Sequence, residues 1–310
     1  MFARPSKQAI AGSLLLAVFL WGGNNTSVKV LVAFWPPIFV GATRFLCAGL
    51  LLLAVLRGTD WLGAAAPLSS ELNRRLWRRG ALSLAMYITV FNWALRFTAV
   101  SHVALYLGAS PIWALLLEER AVPSAREALK RYGAAALALV GVVVLFWPAL
   151  KASGANSGAV GEFLGLAASF LWTHYGRQCR ALGGSLSGVE ITAHTMWRAG
   201  VLLAPLALVE VTARGVAWSP GLVLIQGYCV VAGGVIAFGL WTNALRHWKT
   251  SEVYLFNNLI PLSTMLWARS WLQEPVTPTF WLAMVLIVGG VLLGQTNWQR
   301  LFGGRWLPPE

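Results

Sequence analysis

The chain has 310 residues, of which 57% are hydrophobic and only 11% are charged. A soluble domain of this size cannot cover its surface with so few charged side chains, so the composition excludes a soluble globular protein and indicates a membrane protein. The net charge of +13 does not indicate a nucleic-acid-binding protein, because the basic residues occur in short gaps between apolar runs and not on one polar surface.

A membrane-spanning helix needs about 20 mostly apolar residues. The apolar runs predict ten such helices, at residues 9–32, 38–56, 80–99, 103–119, 125–147, 161–180, 188–210, 221–245, 253–272 and 279–297. The first run follows Arg4 and Lys7, as a signal peptide would, but it continues past Trp21 without a small-residue cleavage site. The predicted fold is therefore an all-α membrane protein with ten transmembrane helices.

The two halves of the chain have similar sequences. Residues 17–21 (AVFLW) return as residues 168–172 (ASFLW), and residues 94–96 (ALR) return as residues 244–246 (ALR). We therefore predict two five-helix repeats, at residues 1–150 and 151–310, joined by a stretch rich in glycine, serine and alanine. Because five is an odd number, the second repeat must enter the membrane from the opposite side, so the repeats are predicted to be inverted.

The basic residues predict the orientation. Residues 57–79 contain five arginines, whereas the corresponding connection at residues 211–220 contains only Arg214. Cytoplasmic loops carry an excess of lysine and arginine. We therefore predict a multi-pass protein of the cell (inner) membrane with both termini in the cytoplasm.

The chain resembles the drug/metabolite transporter superfamily, in its ten-helix EamA branch, over nearly its whole length. The resemblance rests on a tryptophan, an arginine and a proline that occur in both halves, namely Trp21, Trp172, Arg44, Arg198, Pro111 and Pro261. It implies a secondary transporter that exports small metabolites by alternating access, similar to aromatic amino-acid exporters. The implied partners are a small-molecule substrate and the lipid bilayer, a homodimer is left open, and no cofactor is implied.

Aromatic and amide side chains occur together within several predicted spans. An apolar wall with a few amides suits a zwitterion that carries an apolar or aromatic side chain, and the alternative is that these residues contact lipid or bond neighbouring helices. The candidate substrate-binding residues are Trp21, Asn25, Tyr87, Asn92, Tyr106, Trp172, His174, Trp241, Asn257 and Asn258. Asn257 and Asn258 precede Pro261, which frees backbone carbonyls at membrane depth.

Arg44 and Arg198 are cations inside apolar runs, and such a charge requires a partner or water. One interpretation is a clamp for a substrate carboxylate, and the other is a structural role. We favour the structural role, because both repeats contain the arginine. Pro111 and Pro261 are interpreted as structural or hinge positions.

Every Asp and Glu falls in a loop or at the end of a predicted span, whereas a proton-coupled carrier usually keeps a carboxylate in the membrane. We therefore predict a uniporter. The alternative is that His174 or His194 carries protons, although neutral packing roles are favoured for both.

No nucleophile–base pair or metal-ligand spacing is found, which argues against an enzyme, a catalytic site and a metal site. The spans are too apolar for a polar channel. An exporter of nucleosides, sugars or drugs and a gated channel for uncharged solutes stay open as alternatives.

Overall fold

The computed structural model describes residues 6–59, 62, 67–110, 113, 125–151, 157–182, 186–248, 253 and 256–295, and the regular secondary structure within them is helical. The α-helices are α1 (Lys7–Phe34), α2 (Pro37–Gly58), α3 (Ser70–Arg75), α4 (Leu82–Phe97), α5 (Val100–Gly108), α6 (Ala125–Lys151), α7 (Ser157–Leu182), α8 (Gly188–Arg214), α9 (Pro220–Tyr228), α10 (Ala237–His247), α11 (Ile260–Trp271) and α12 (Pro278–Gln295). A first π-helical segment (Leu76–Ala81) joins α3 to α4, a second (Cys229–Ile236) joins α9 to α10, and a 3₁₀ turn (Phe256–Leu259) precedes α11. Each predicted span corresponds to one of these helices or joined helices.

Local sequence explains where several helices begin. Ser187 and Glu190 form a capping box at the start of α8, in which the Ser187 Oγ accepts the Glu190 N–H at 3.3 Å and the Glu190 carboxylate accepts the Ser187 N–H at 2.8 Å. The Thr277 Oγ accepts the Phe280 N–H at 3.1 Å and caps α12. α2 begins with Pro37. Proline has no N–H group, and this costs nothing here because an N–H in the first turn of a helix has no acceptor within the helix.

Four helical segments of the described chain are long and apolar enough to cross a membrane, at Lys7–Phe34, Pro37–Gly58, Gly188–Arg214 and Pro220–Ala244. Large apolar side chains on the outer faces are left uncovered, for example Val209 and Val285, each 66% exposed. Such faces are favourable only against lipid. The architecture is that of a multi-pass α-helical membrane protein.

The helices of the two halves pack against each other in a repeated pattern. α1 packs against the second π segment, α10 and α11, and α7 packs against α4 and α5 in the corresponding way. The equivalent helices α2 and α8 contact each other directly, and so do α6 and α12. The interior of the protein therefore lies between the halves and is formed by both.

The contact between α2 and α8 is close because both helices carry a glycine there. A Cβ added at Gly49 would lie 2.9 Å from the carbonyl oxygen of Ala193, and one added at Gly200 would lie 2.6 Å from the backbone nitrogen of Leu46. Only glycine permits this backbone approach, which is a common device for packing membrane helices. The paired glycines fix the position of α2, and with it that of Arg44.

Candidate functional site

Two aromatic clusters lie between the halves. The first joins α1 to α10 and contains Trp21, Phe238 and Trp241. The ring of Trp21 lies 5.1 Å from that of Phe238 and 5.2 Å from that of Trp241, measured between centroids. The indole N–H of Trp21 donates to the carbonyl of Gly233 in the second π segment at 3.1 Å, which fixes the ring because a buried indole N–H requires an acceptor.

The second aromatic cluster joins α4 to α7 and contains Tyr87, Phe91, Trp172 and Tyr175. The Tyr87 ring lies 5.0 Å from the Trp172 ring and 5.6 Å from the Phe91 ring. The Tyr175 hydroxyl is 2.8 Å from the hydroxyl of Thr195. The structure thus brings Trp21 together with Trp241 and Tyr87 together with Trp172, as two separate pairs at equivalent places in the two repeats.

Arg44 lies on α2 within electrostatic reach of groups from both sides. It is 5% exposed and its guanidinium lies 4.6 Å from the centroid of the Phe45 ring. Its charge interacts with Tyr87 of the second cluster and with Cys229, which belongs to the π segment that holds Trp21. Within the part of the chain that the structure describes, the buried Nη1 of Arg44 has no hydrogen-bond partner and no carboxylate pairs with it.

The Ser27 hydroxyl is buried and lies against the thiol of Cys229, and no oxygen or nitrogen partner is found for it among the described residues. An unpaired buried donor such as the Nη1 of Arg44 is rare, because it costs about 1–3 kcal/mol relative to its hydrated state. A cation that lacks an acceptor, together with a nearby hydroxyl, is chemically complementary to a carboxylate. We define Ser27, Arg44, Tyr87 and Cys229 as the central polar site.

Arg198, the corresponding arginine of the second half, has partners for both terminal nitrogens, whereas its Nε is a buried donor without a partner among the described residues. Nη1 donates to the carbonyl and to the Nδ1 of His194 at 3.1 Å and 3.0 Å, and Nη2 donates to the Oδ1 of Asn73 at 2.6 Å. The guanidinium also lies over the rings of Trp197 and Trp77 at 4.3 Å and 5.6 Å. These contacts tie α8 to α3 and the first π segment, whereas Arg44 has no such tie.

Two of the candidate amides bond neighbouring helices. Asn25 donates to the hydroxyl of Thr264 at 3.2 Å and joins α1 to α11. Asn92 is completely buried and donates to the carbonyl of Pro37 at 2.8 Å, so it joins α4 to the start of α2. Interhelical amide bonds of this kind are the alternative that the sequence leaves open for such residues.

The remaining candidates lie elsewhere in the bundle. His174 is half-buried, and its Nε2 is 3.4 Å from the side-chain nitrogen of Gln178 one turn later. Asn257 and Asn258 lie half-buried in the 3₁₀ turn, and the Nδ2 of Asn258 is a buried donor with no partner within the described ranges. Pro261 is buried where α11 crosses α5, close to Gly108. Pro111 lies outside the described residues.

Tyr106 is completely buried and donates to the carboxylate of Glu162 at 2.6 Å. Glu162 itself is 3% exposed and lies in the second turn of α7, so the expectation that every carboxylate lies in a loop or at a helix end is wrong for this residue. The helix begins at Ser157, four residues before the predicted span. His102 and Tyr106 are spaced by four, which places them on one side of α5, and Thr98 lies four residues before His102, in the turn that precedes the helix. This spacing was the sequence signal for a polar partner.

Two further carboxylates, the buried Glu210 and the half-buried Glu274, bind the backbone at the starts of helices. Glu210 of α8 accepts the N–H groups of Ile38 and Phe39 at 2.7 Å and 3.3 Å. Glu274 accepts the N–H groups of Val100 and Ser101 at 2.9 Å and 3.3 Å. Both carboxylates satisfy N–H groups that the first turns of α2 and α5 leave unpaired.

Two cations complement them at the ends of helices on the same side of the bundle. The Lys29 ammonium donates to the carbonyls of Leu95 and Thr98 at 2.6 Å and 2.7 Å, and both carbonyls lie at the carboxyl end of α4. Arg96 donates to the carbonyls of Val32 and Ala33, both at 2.7 Å, where α1 ends. Lys29, Arg96, Glu210 and Glu274, which we call the outer ties, hold the helices together at the end that the charge pattern predicts to be external.

Comparison with known proteins gives the family. The model of the EamA-like transporter family matches residues 9–147 and again residues 159–294. The chain belongs to this family. The two matched segments correspond to the two halves that the repeated sequence motifs define.

Three relatives have similar length. The chain is 27% identical over 289 residues to an uncharacterised inner membrane transporter, YedA, of Escherichia coli K12, and the match covers 91% of this chain and 89% of YedA. It is 24% identical over 310 residues to a probable amino-acid metabolite efflux pump of the same organism, covering 94% of each chain. An uncharacterised transporter of Archaeoglobus fulgidus is 25% identical over 295 residues, covering 90% of this chain and 95% of the relative.

One solved crystal structure has the same fold. It superposes with a TM-score of 0.60 at 20% sequence identity, and the match covers 97% of this chain and all of the other. The family, the relatives and the helical architecture together make this protein a membrane transporter.

Proposed function

We propose that this protein exports small metabolites that carry a free carboxylate, namely amino acids with aromatic or other apolar side chains. One relative of the same length is named a probable amino-acid metabolite efflux pump, which supports the substrate class. The observation that carries the proposal is the buried Nη1 of Arg44, which has no partner among the described residues.

The central polar site supplies what an amino acid requires. The substrate carboxylate accepts hydrogen bonds from Arg44, whose Nη1 lacks an acceptor among the described residues, and from the nearby Ser27 hydroxyl. The apolar side chain packs against the rings of Tyr87 and Trp172 or, across the site, against those of Trp21 and its neighbours. Because the bound carboxylate removes the cost of an unpaired cation, the site discriminates strongly against analogues without a carboxylate.

The two halves provide the means of movement. We infer that they are inverted repeats that rock against each other around the central polar site, with α1, α4, α5, α7, α10 and α11 lining the path. The repeated packing pattern and the double family match support this inference. Both termini lie in the cytoplasm in this proposal, the membrane is the inner membrane, and a homodimer is an allowed assembly.

Other small solutes are the alternative cargo. Nucleosides, sugars or drugs, or a gated channel for uncharged solutes, would leave Arg44 without a charged partner, and the cost of its burial therefore disfavours them.

The test is counterflow in proteoliposomes without an ion gradient. Vesicles preloaded with phenylalanine are placed in dilute radiolabelled phenylalanine, and phenylalaninamide serves as the matched competitor that lacks only the carboxylate. Saturable counterflow that phenylalanine inhibits and phenylalaninamide does not inhibit is the expected result. Equal inhibition by both compounds, or no counterflow with any amino acid in folded protein, contradicts the proposal.

A further inference from the structure

Glu162 is the centre of a cluster of side chains that joins the two halves. Its Oε1 accepts the Thr98 hydroxyl at 2.5 Å and the Nδ1–H of His102 at 2.7 Å, and its Oε2 accepts the Tyr106 hydroxyl at 2.6 Å. Glu162 lies on the first helix of the second half, whereas its three partners lie on α5 or on the turn before it in the first half. The cluster therefore spans the interface that must open and close in alternating access.

We propose that the Glu162–His102 pair binds and releases a proton that couples export to the proton gradient. This inference rests on the proposed transport function and adds its source of energy. It replaces the prediction of a uniporter, which rested on the expectation that no carboxylate lies inside the bundle.

The pair differs from the other interhelical carboxylates in its partners. Glu210 and Glu274 accept backbone N–H groups at the starts of helices, where the helix dipole stabilises a negative charge. The described partners of Glu162 are side chains only, and one of them, His102, is an imidazole, which can hold a proton on either ring nitrogen. An ionisable pair inside a membrane bundle is a functional arrangement by default, because burying it is costly.

Exposure gives the proton a route. The His102 side chain is 27% exposed, whereas that of Glu162 is 4% exposed. In the proposed transfer, one proton binds the Nε2 of His102 and the proton on Nδ1 passes to the Oε1 of Glu162. The imidazole is then neutral again, and the carboxylate has become a carboxylic acid. The reverse transfer returns the proton, and nothing else is consumed.

The charged groups around the pair come from the elements packed against α7. Arg96 lies on the last turn of α4, and Lys29 binds the carbonyl of Thr98 from α1. Glu274 binds the hydroxyl of Ser101, next to His102, and Tyr106 is the other ionisable group on α5.

The other two elements, α6 and α8, add few charges near the pair. α6 carries no acidic or basic residue between positions 133 and 150. On α8, the groups toward this end are Glu210 and Arg214, which bind the start of α2 and the Trp93 ring. The neighbouring charges are thus of both signs, and each has its own partner.

Protonation changes the strength of the contact between the halves. An ionised carboxylate with three donors makes hydrogen bonds about twice as strong as those of a neutral acid. Proton uptake therefore favours separation of α7 from α5, which opens the predicted external end. Because linkage is reciprocal, opening that end favours proton uptake. When the external end closes again, the proton is carried toward the cytoplasm. The metabolite has by then been released outside.

The experiment compares Glu162→Gln with the control Glu71→Gln, which changes an exposed carboxylate at the start of α3, in proteoliposomes. An imposed pH gradient is expected to drive phenylalanine transport against its concentration gradient in the wild type and in the control, with proton movement followed by a trapped pH-sensitive dye. Glu162→Gln is expected to lose both the proton movement and the uphill transport, while counterflow of phenylalanine persists. Uphill transport that survives in Glu162→Gln overturns the proposal.

A second measurement does not depend on the substrate. Infrared difference spectra of the purified full-length protein between about pH 5 and 8 are expected to show a carboxylic-acid C=O band that appears on acidification and is missing in Glu162→Gln. The absence of this band in the wild type overturns the proton site even if counterflow is normal. A missing counterflow in the wild type, together with a titrating Glu162 band, overturns the proposed substrate and leaves the proton site supported.

Discussion

Replacement of Arg44 by methionine separates a binding role from a structural role. Methionine keeps much of the length and volume of the side chain and removes its charge and its donors. If Arg44 binds substrate, Arg44→Met loses affinity without losing stability. If Arg44 supports the fold, both properties suffer.

The expected loss of affinity follows from the unpartnered Nη1. A hydrogen bond to a charged group contributes about 1.5–3 kcal/mol, and about 1.4 kcal/mol corresponds to a tenfold change in affinity. Arg44→Met is therefore expected to raise the half-saturation concentration for phenylalanine roughly 10- to 150-fold. Its effect on phenylalaninamide, which has no carboxylate, is expected to be small.

The expected change in stability has the opposite sign. In the wild type, Arg44 is 5% exposed and its Nη1 has no acceptor within the described structure. An apolar side chain in place of an unpaired buried cation removes a desolvation cost, so the thermal stability in detergent is expected to stay equal or to rise. Arg198→Met is the matched control, because it breaks hydrogen bonds to Asn73 and His194 and is expected to lower the stability.

Two assays decide the outcome. Counterflow in proteoliposomes gives the half-saturation concentrations, and fluorescence-detected size-exclusion chromatography after heating gives the stability. An unchanged half-saturation concentration together with a lower melting temperature for Arg44→Met would refute the reasoning and make Arg44 a second structural arginine.

Three further predictions concern the fold. Gly49→Val is expected to prevent folding or lower the melting temperature strongly, because the new side chain meets the backbone of α8. Gly58→Val is expected to be tolerated, because a Cβ added there has nothing within 4 Å. Expression and thermal stability of the two variants check this. Lys29→Met is expected to lose the hydrogen bonds to Leu95 and Thr98 and to make the external end easier to open. The measurement is faster labelling, by a thiol reagent added outside, of a cysteine introduced on the interior side of that end. Reporter fusions at the two ends of the chain are expected to be active on the cytoplasmic side only, and opposite locations of the two ends contradict the inverted five-helix repeats.

The sequence predicts the helices well where they are apolar and less well where they are polar. α1 and α2 begin and end within two residues of the predicted spans. The third span is predicted from residue 80, but helix already begins at Ser70. Residues 70–79 contain four arginines, so hydropathy does not detect them, although Ser69 caps the helix and Leu76 is completely buried.

The site is predictable only in part, for a related reason. The repeated Trp21 and Trp172 indicate that both repeats contribute an aromatic group, and the structure places each beside an aromatic partner from the opposite half. The depth of Glu162 depends on where α7 begins and on which side of α5 faces it. Both are consequences of packing between distant segments, which local composition does not determine.

The central polar site lies where the two halves of the chain differ in the amide side chain near their arginine. In one half, Asn73 at the start of the third span offers its Oδ1 to Arg198 at 2.6 Å. In the other half, the amide at the start of the eighth span is Gln226, whose side-chain nitrogen donates to the carbonyl of Val40 and to the hydroxyl of Thr43 at 3.2 Å and 2.8 Å. The amide oxygen of Gln226 is itself buried without a partner in the described chain, and Arg44 receives no acceptor from it. The two arginines at corresponding positions thus differ in their partners: Arg198 has an acceptor in Asn73, whereas the Nη1 of Arg44 has none among the described residues, and this is the place that we propose for the substrate carboxylate.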